Sequence, residues 1–407
     1  MNTAQVGTKP ESMEFSQERL KRIDALLQGY IARGELSGVI AKIAHRGESV
    51  YDRKFGWMNI EARQPMQEDA IFMIASMTKP ITAVAAMMLY EEGHFNLNTP
   101  ISKFIPAFAD TPVYAGSGPQ GGIYLDDRQG DITFRHLFTH TAGLSYGLDA
   151  NDPVDRLYQQ AQAKLSDQPL TNQLVAKDLS QLPLAFQPGT HWRYSLGIDV
   201  LGALVEIIAG IPFEQFLQER IFDPLGMFDT GFWVPTAKRE RVATVYEFSD
   251  PALGLQPLSD VVPPSKMPSF TSGGGGLWST AGDYARFAQM LVNRGEFNGR
   301  RLLSPKTVEL FSLNQCPSAA LPYGFVENDL YHAGYGYSLG TRVLMDVAQS
   351  GMAGSVGEFG WDGKFHTYFW IDPVQELFGL LMTQLDMEGR HASHQQFKQL
   401  TYQALID

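Results

Sequence analysis

The sequence predicts an α/β chain of the α+β type: an antiparallel sheet flanked by helices and built from both chain ends, with a mostly helical lobe between them. Three observations carry this. Residues 39–44 and 49–56 read as strands joined at Arg46-Gly47-Glu48, a hairpin that follows an amphipathic helix. Residues 335–345, 358–371 and 377–384 bring aromatic and β-branched residues back near the C-terminus, with Asp372-Pro373 marking a turn. Most of the intervening apolar spacing is helical. The division this implies is a discontinuous α/β domain over 15–75 and 285–407, a mainly helical region with long loops over 76–284, and a loose tail over 1–14.

Taken in order, Ser16 caps a helix whose apolar residues are Leu20, Ile23, Leu26, Leu27, Tyr30 and Ile31, and Gly34 ends it. The short apolar run 71–75 leads into a long helical pattern from Ser76 to Glu92, stopped by Gly93. Pro80 is tolerated there because the first turn has no donor to lose. Residues 96–131 read as loop with a flexible tip at 115–122. Thr133 caps a short helix over 134–139. Helices are expected over 172–181, 195–209 and 213–222. Residues 228–270 are irregular. A helix over 283–294 carries Thr280 and Asp283 at capping-box spacing. A closing helix spans 389–406.

Composition narrows the function. The 407 residues are 44% hydrophobic, enough for a large core, and 44 acidic against 32 basic residues give a net charge of −12. An acidic chain without a basic cluster argues against nucleic acid and anionic membranes as partners. Cys316 stands alone, so no intrachain disulfide forms. The N-terminal residues carry no apolar signal core, and apolar stretches such as 81–89 are too short to span a bilayer. The expectation is a soluble, cytoplasmic protein.

Ser76-Met77-Thr78-Lys79 forms S-x-x-K, and residues three apart share one helix face. A serine hydroxyl needs a base to become a nucleophile. Lysine serves only when neutral, and both burial and the positive helix end favour the neutral form. Among the serines, Ser76 alone has lysine at the third position after it. A serine cap followed by a surface lysine is the competing reading. Tyr194, set between a Pro188-Gly189 turn and an apolar helix, could share or relay the serine proton if Lys79 stabilises its phenolate; the plainer reading is a tyrosine anchoring a loop. Residues 358–365 read as a glycine-flanked edge strand able to supply an N–H to a developing oxyanion, with the helix start at Ser76 supplying another.

Together these stretches resemble the serine β-lactamase and penicillin-recognising fold, and more narrowly the branch holding class C β-lactamases, D-alanyl-D-alanine carboxypeptidases and family VIII carboxylesterases. Supporting matches are residues 137–144, including Thr139-His140-Thr141, and residues 275–283. The resemblance runs from about Phe15 to the C-terminus. It implies Ser76 as the acylated nucleophile, Lys79 and Tyr194 as the base system, and the backbone N–H groups of Ser76 and Lys364 as the oxyanion hole. The third motif falls at Trp361-Asp362-Gly363. Two departures bear on substrate. The asparagine usual two residues past the tyrosine is Leu196, and the usual lysine or histidine of the third motif is Trp361. Both remove polar groups suited to a β-lactam or peptide. The expected substrate-binding residues are thus Trp361, Asp362, Gly363 and Leu196, with Trp192 and Trp370 as further candidates, Trp370 being equally suited to the core.

The expectation is a serine hydrolase of small carboxylic esters with weak or no β-lactam turnover, needing no metal or organic cofactor. Alternatives are a class C-like β-lactamase, a D-amino-peptide or amide hydrolase, and a non-catalytic penicillin-binding-like protein. Gly336-Tyr337-Ser338-Leu339-Gly340 is a formal G-x-S-x-G, with Asp362 and His366 downstream, but a strand-like run follows where that motif needs a helix. His136 and His140 have zinc-ligand spacing without the H-E-x-x-H glutamate and read as structural. Gly273 to Gly276 lacks the lysine of a phosphate loop and reads as a tight turn. Acyl length, stereoselectivity, natural substrate and oligomeric state are not encoded in any motif.

Overall fold

Helix α1 (Gln17–Ala32) starts where its cap dictates, because Ser16 Oγ accepts the Arg19 N–H at 3.3 Å. Its buried stripe, Leu20, Ile23, Leu27 and Tyr30, is the one its periodicity predicts. The computed structural model describes residues 15–118, 122–165, 170–248, 253–324, 333–387 and 391–406; the expected tail over 1–14, part of the tip at 115–122 and the expected start of the closing helix lie outside them.

Strands β1 (Gly38–His45) and β2 (Glu48–Asn59) form the hairpin, with Arg46 and Gly47 both at positive φ in the two-residue turn. β3 (Gln64–Pro65) pairs on the outside of β2. From the other chain end come β4 (Tyr335–Tyr337), β5 (Arg342–Leu344), β6 (Phe359–Asp362), β7 (Tyr368–Asp372) and β8 (Leu377–Met382). The order β4-β5-β6-β7-β8-β1-β2-β3 makes one antiparallel eight-stranded sheet, and the two chain ends meet where Ile40 pairs Met382 and His45 pairs Leu377.

Both faces of this sheet are covered. On β8, Leu377 and Leu381 face a cluster with Leu20, Ile23, Leu27 and Phe397, whereas Phe378, Leu380 and Met382 face the main core. Period-two alternation therefore delivers one continuous apolar run to two layers. The first layer is α1 with the C-terminal helix Ser393–Tyr402, and the second begins with the helix Ala281–Val292. Gly379 is needed because the Trp370 indole lies over it; a Cβ there would sit 2.0 Å from the ring. Beyond the second layer, α2 (Thr78–Glu91) is buried at every residue from Thr78 to Leu89 and packs on the helix Gly197–Ala209. A helix enclosed on all sides explains its nearly uninterrupted apolar sequence. Among the described residues no single helix is long and apolar enough to cross a membrane.

Several expected elements change. The run 335–345 is two strands around a turn in which Ser338 N–H donates to Thr341 O at 2.7 Å. The run 358–371 is likewise broken, by a turn closed by Gly363 N–H on Thr367 O at 2.8 Å with His366 at φ +60°. The expected loop 96–131 contains a hairpin, Val113–Ser117 with Ile123–Asp126. A helix, Pro153–Leu165, forms where the sequence reading has none, and among its described side chains Val154 and Tyr158 are buried.

Candidate active site

The short strand Ile71–Met73 pairs with Trp278–Thr280, and Ile74 N–H continues the pairing onto Leu277 O at 3.1 Å. The chain then turns sharply through Ala75, at φ +43°, a conformation that costs an alanine about 1 kcal/mol. Ala75 is held by Val245 and Phe365. Ser76 follows in a single 3₁₀ turn, Ala75–Met77, that runs into α2.

The three residues singled out as nucleophile and base system come together. Lys79 Nζ donates to Ser76 Oγ at 3.0 Å and to the Gly274 carbonyl at 2.6 Å. The Tyr194 hydroxyl donates to Ser76 Oγ at 2.8 Å. Lys79 is fully buried, and burial pulls its pKa down to about 7, against the opposing pull of the Asp199 and Asp362 carboxylates. Burial pushes the Tyr194 phenol far up, so it rests neutral. Lys79 Nζ lies 4.5 Å from the Tyr194 ring centroid. The proton-accepting group nearest neutrality is thus Lys79, and the phenol is a donor in the resting state.

The third motif sits beside them. β6 is an interior strand where Gly360 and Phe359 pair with β5, rather than the edge strand expected from sequence; only its end, from Trp361 onward, runs past β5. There Gly363 crosses the Ser76 segment so closely that a Cβ would sit 2.4 Å from Ile74 O. The next N–H, that of Lys364, donates to no described residue, and the Ser76 N–H belongs to a first turn that has no intrahelical acceptor. The Lys364 side chain leans away onto Asp386 at 3.3 Å.

The residues expected to line a substrate site divide. Trp361 is 1% exposed and donates its indole N–H to the Tyr194 oxygen at 3.3 Å, so it supports the tyrosine from behind. Asp362 pairs with the buried Arg342 at 3.0 Å. Leu196 flanks the helix Gly197–Ala209 and is half-buried against the main core. Trp192 packs 6.0 Å from the Tyr194 ring, whereas Trp370 is core on the far face of the sheet.

Other sequence readings resolve. Ser338 is fully buried in the β4–β5 turn and donates to Leu310 O at 3.0 Å, while Asp362 is engaged with Arg342 and His366 Nδ1 with Leu385 O at 2.9 Å. A strand rather than a helix follows this serine, and among the described residues its hydroxyl bonds Leu310 O rather than a histidine. His136 Nδ1 accepts the Thr133 N–H in a capping box, and His140 Nδ1 meets Ser195 Oγ at 3.0 Å. Among the described residues, no three His, Cys, Asp or Glu side chains gather to hold a metal.

Sequence reasoning missed the groups that hold Lys79. Asp199, 3% exposed, accepts Ser272 Oγ–H at 2.5 Å and Gly274 N–H at 3.1 Å, which fixes the backbone whose carbonyl takes the Lys79 ammonium. Gly274 must be glycine, since a Cβ would lie 2.4 Å from Asp199 Oδ2 and 2.7 Å from Tyr146 Oη. The run Gly273 to Gly276 was the signal for this close approach.

Comparison with known proteins identifies the family of the fold. The family model described as "Beta-lactamase" matches residues 23–403. Protein Rv1367c of Mycobacterium tuberculosis is 36% identical over 86% of this chain and 86% of its own length. Esterase EstB of Burkholderia gladioli is 31% identical over 90% of this chain and 91% of its own. The solved structure of EstCE1, titled a hydrolase with promiscuous acyltransferase activity, superposes with a TM-score of 0.79 at 27% identity, covering 95% of this chain and 99% of that one. With the family model spanning nearly the whole fold and these relatives covering most of its length, the chain belongs to the beta-lactamase family, among serine hydrolases of the β-lactamase fold.

Proposed function

We propose that the protein is a carboxylesterase that cleaves small carboxylic esters through an acyl-enzyme on Ser76. The observation that carries the proposal is the fully buried Lys79, 3.0 Å from Ser76 Oγ, with its pKa brought down to about 7. Neutral Lys79 takes the Ser76 proton as Oγ attacks the ester carbon. Negative charge builds on the carbonyl oxygen, which the Ser76 and Lys364 N–H groups receive. Collapse expels the alkoxide, and the Lys79–Tyr194 pair returns the proton to it. Water then attacks the acyl-enzyme by the same route, releasing the acid and restoring Ser76. No step calls for a metal or organic cofactor.

Esters rather than β-lactams are favoured by what surrounds the nucleophile. Position 361 carries an indole committed to Tyr194, where a lysine or histidine would draw a β-lactam carboxylate. Leu196 supplies no amide to a peptide-like side chain. The relative EstB is named an esterase. The test is the ratio of kcat/KM for a chromogenic short-chain ester to that for a chromogenic cephalosporin at neutral pH. A ratio heavily favouring the ester supports the proposal. A ratio favouring the cephalosporin makes the protein a β-lactamase, and activity on neither points to an amide hydrolase or a binding protein.

A further inference from the structure

His140, spaced with His136 as a structural pair, has the surroundings of the proton-handling tyrosine. Its carbonyl accepts the Arg193 N–H at 2.9 Å. Its Nδ1 meets Ser195 Oγ at 3.0 Å, and the same Oγ accepts the Gly197 N–H at 3.4 Å, tying the contact to the start of the following helix. Between these two anchored residues stands Tyr194, whose ring lies 4.8 Å from the imidazole, centroid to centroid. His140 therefore holds the residue before Tyr194, the residue after it, and the ring itself. The backbone of His140 is at φ +56°, a left-handed conformation uncommon for a residue other than glycine. The imidazole is fully buried, and burial together with the nearby Lys79 charge keeps it neutral. Its Nε2 meets no hydrogen-bond partner among the described residues, and the ring also packs 5.3 Å from Tyr337 and 5.9 Å from Trp192, centroid to centroid.

We propose that His140 is a positioning residue that keeps the Tyr194 hydroxyl on Ser76 by gripping both residues that flank Tyr194 in the chain. This rests on the Ser76–Lys79–Tyr194 chemistry proposed above. A fixed phenol matters because a misplacement near 1 Å can cost about a hundredfold in rate. Three substitutions separate the grip from general packing. Ser195→Ala removes the side-chain anchor without touching the strained backbone. His140→Gly removes the ring while accepting φ +56°. His140→Asn places an amide atom where Nδ1 stands and tolerates the left-handed backbone.

The experiment measures single-turnover acylation by p-nitrophenyl acetate at excess enzyme, with each variant made in the wild-type and Tyr194→Phe backgrounds and checked for a cooperative thermal transition. In the wild-type background, Ser195→Ala and His140→Gly should slow acylation about 10- to 100-fold, with substrate affinity changed less than about threefold. His140→Asn should recover to within about fivefold of wild type, and in the Tyr194→Phe background each variant should cost less than about twofold, because the tyrosine's contribution is already gone. Equal losses in both backgrounds, a wild-type rate for Ser195→Ala, or an asparagine variant no faster than the glycine variant would overturn the proposal. If His140→Gly does not fold, Ser195→Ala carries the test. A wild-type enzyme that is not acylated at all refutes the esterase reading instead, and the two failures are thereby distinct.

Discussion

Replacing Lys79 by methionine should destroy activity and make the protein more stable, by an amount that depends on pH in a calculable way. The side chain is fully buried with its pKa held at about 7, below the ordinary lysine value of about 10.4. The folded state therefore binds fewer protons than the unfolded state between these two values, and stability rises with pH across that window. Keeping this lysine inside costs about 4 to 5 kcal/mol at pH 6 and about 2 kcal/mol at pH 9, from the proton linkage alone. Methionine is close in length and apolar, so the linkage cost vanishes. Against this, the Gly274 carbonyl loses its partner, at about 1 to 3 kcal/mol independent of pH. The net expectation is a variant about 2 to 3 kcal/mol more stable than wild type at pH 6, with the advantage shrinking by roughly 2 to 3 kcal/mol at pH 9. Urea unfolding at the two pH values, on enzyme free of substrate, measures the difference directly. A stability gap that does not change with pH, or one that grows as pH rises, would refute the assignment of a neutral buried lysine.

The other predictions concern activity. Ser76→Ala should abolish ester hydrolysis while Ser338→Ala, which loses only a hydrogen bond to Leu310 O, retains most of it; a folded but inactive Ser338→Ala would move the nucleophile to the β4–β5 turn. Tyr194→Phe removes the 2.8 Å bond to Ser76 and should lower kcat by about two orders of magnitude or more with modest change in KM, as steady-state kinetics would show. Because the base must be neutral, kcat/KM should rise with pH through about 7 and then level, and a profile flat from pH 5 to pH 9, roughly two units either side of that value, would contradict Lys79 as the base.

The parts of this site legible in the sequence are the local ones. Ser76 and Lys79 are one helical turn apart, so their contact follows from periodicity once a helix start is placed between Ile71 and Pro80. The outer frame was legible from equally local signals: the stripe of α1 writes its own period, the Arg46-Gly47 turn marks the hairpin, and β8 is a short apolar run set off by the Asp372-Pro373 turn. Tyr194 and the third motif became readable through resemblance, since 118 residues separate Tyr194 from Ser76 and no spacing rule links them. What stayed hidden depends on which non-local surfaces meet. Asp199 reads as one more helical acid, and only its contact with Gly274 shows it fixing the Lys79 acceptor. Trp361 reads as a large apolar residue on a strand; alternation gives it a face but cannot say that the face carries the Tyr194 phenol. The breaks at 338–341 and 363–367 were missed because His366 takes a positive φ without being glycine and Gly340 lies in a run that otherwise reads as strand.

The proposed chemistry passes through a covalent intermediate on Ser76. The most direct measurement is to mix the enzyme with a slowly deacylating p-nitrophenyl ester, quench in acid during the burst, and read the intact mass followed by the modified peptide. A single added acyl group on Ser76, absent in Ser76→Ala, is expected. An acyl group on Ser338, or steady hydrolysis with no acylated species in the burst, would contradict it.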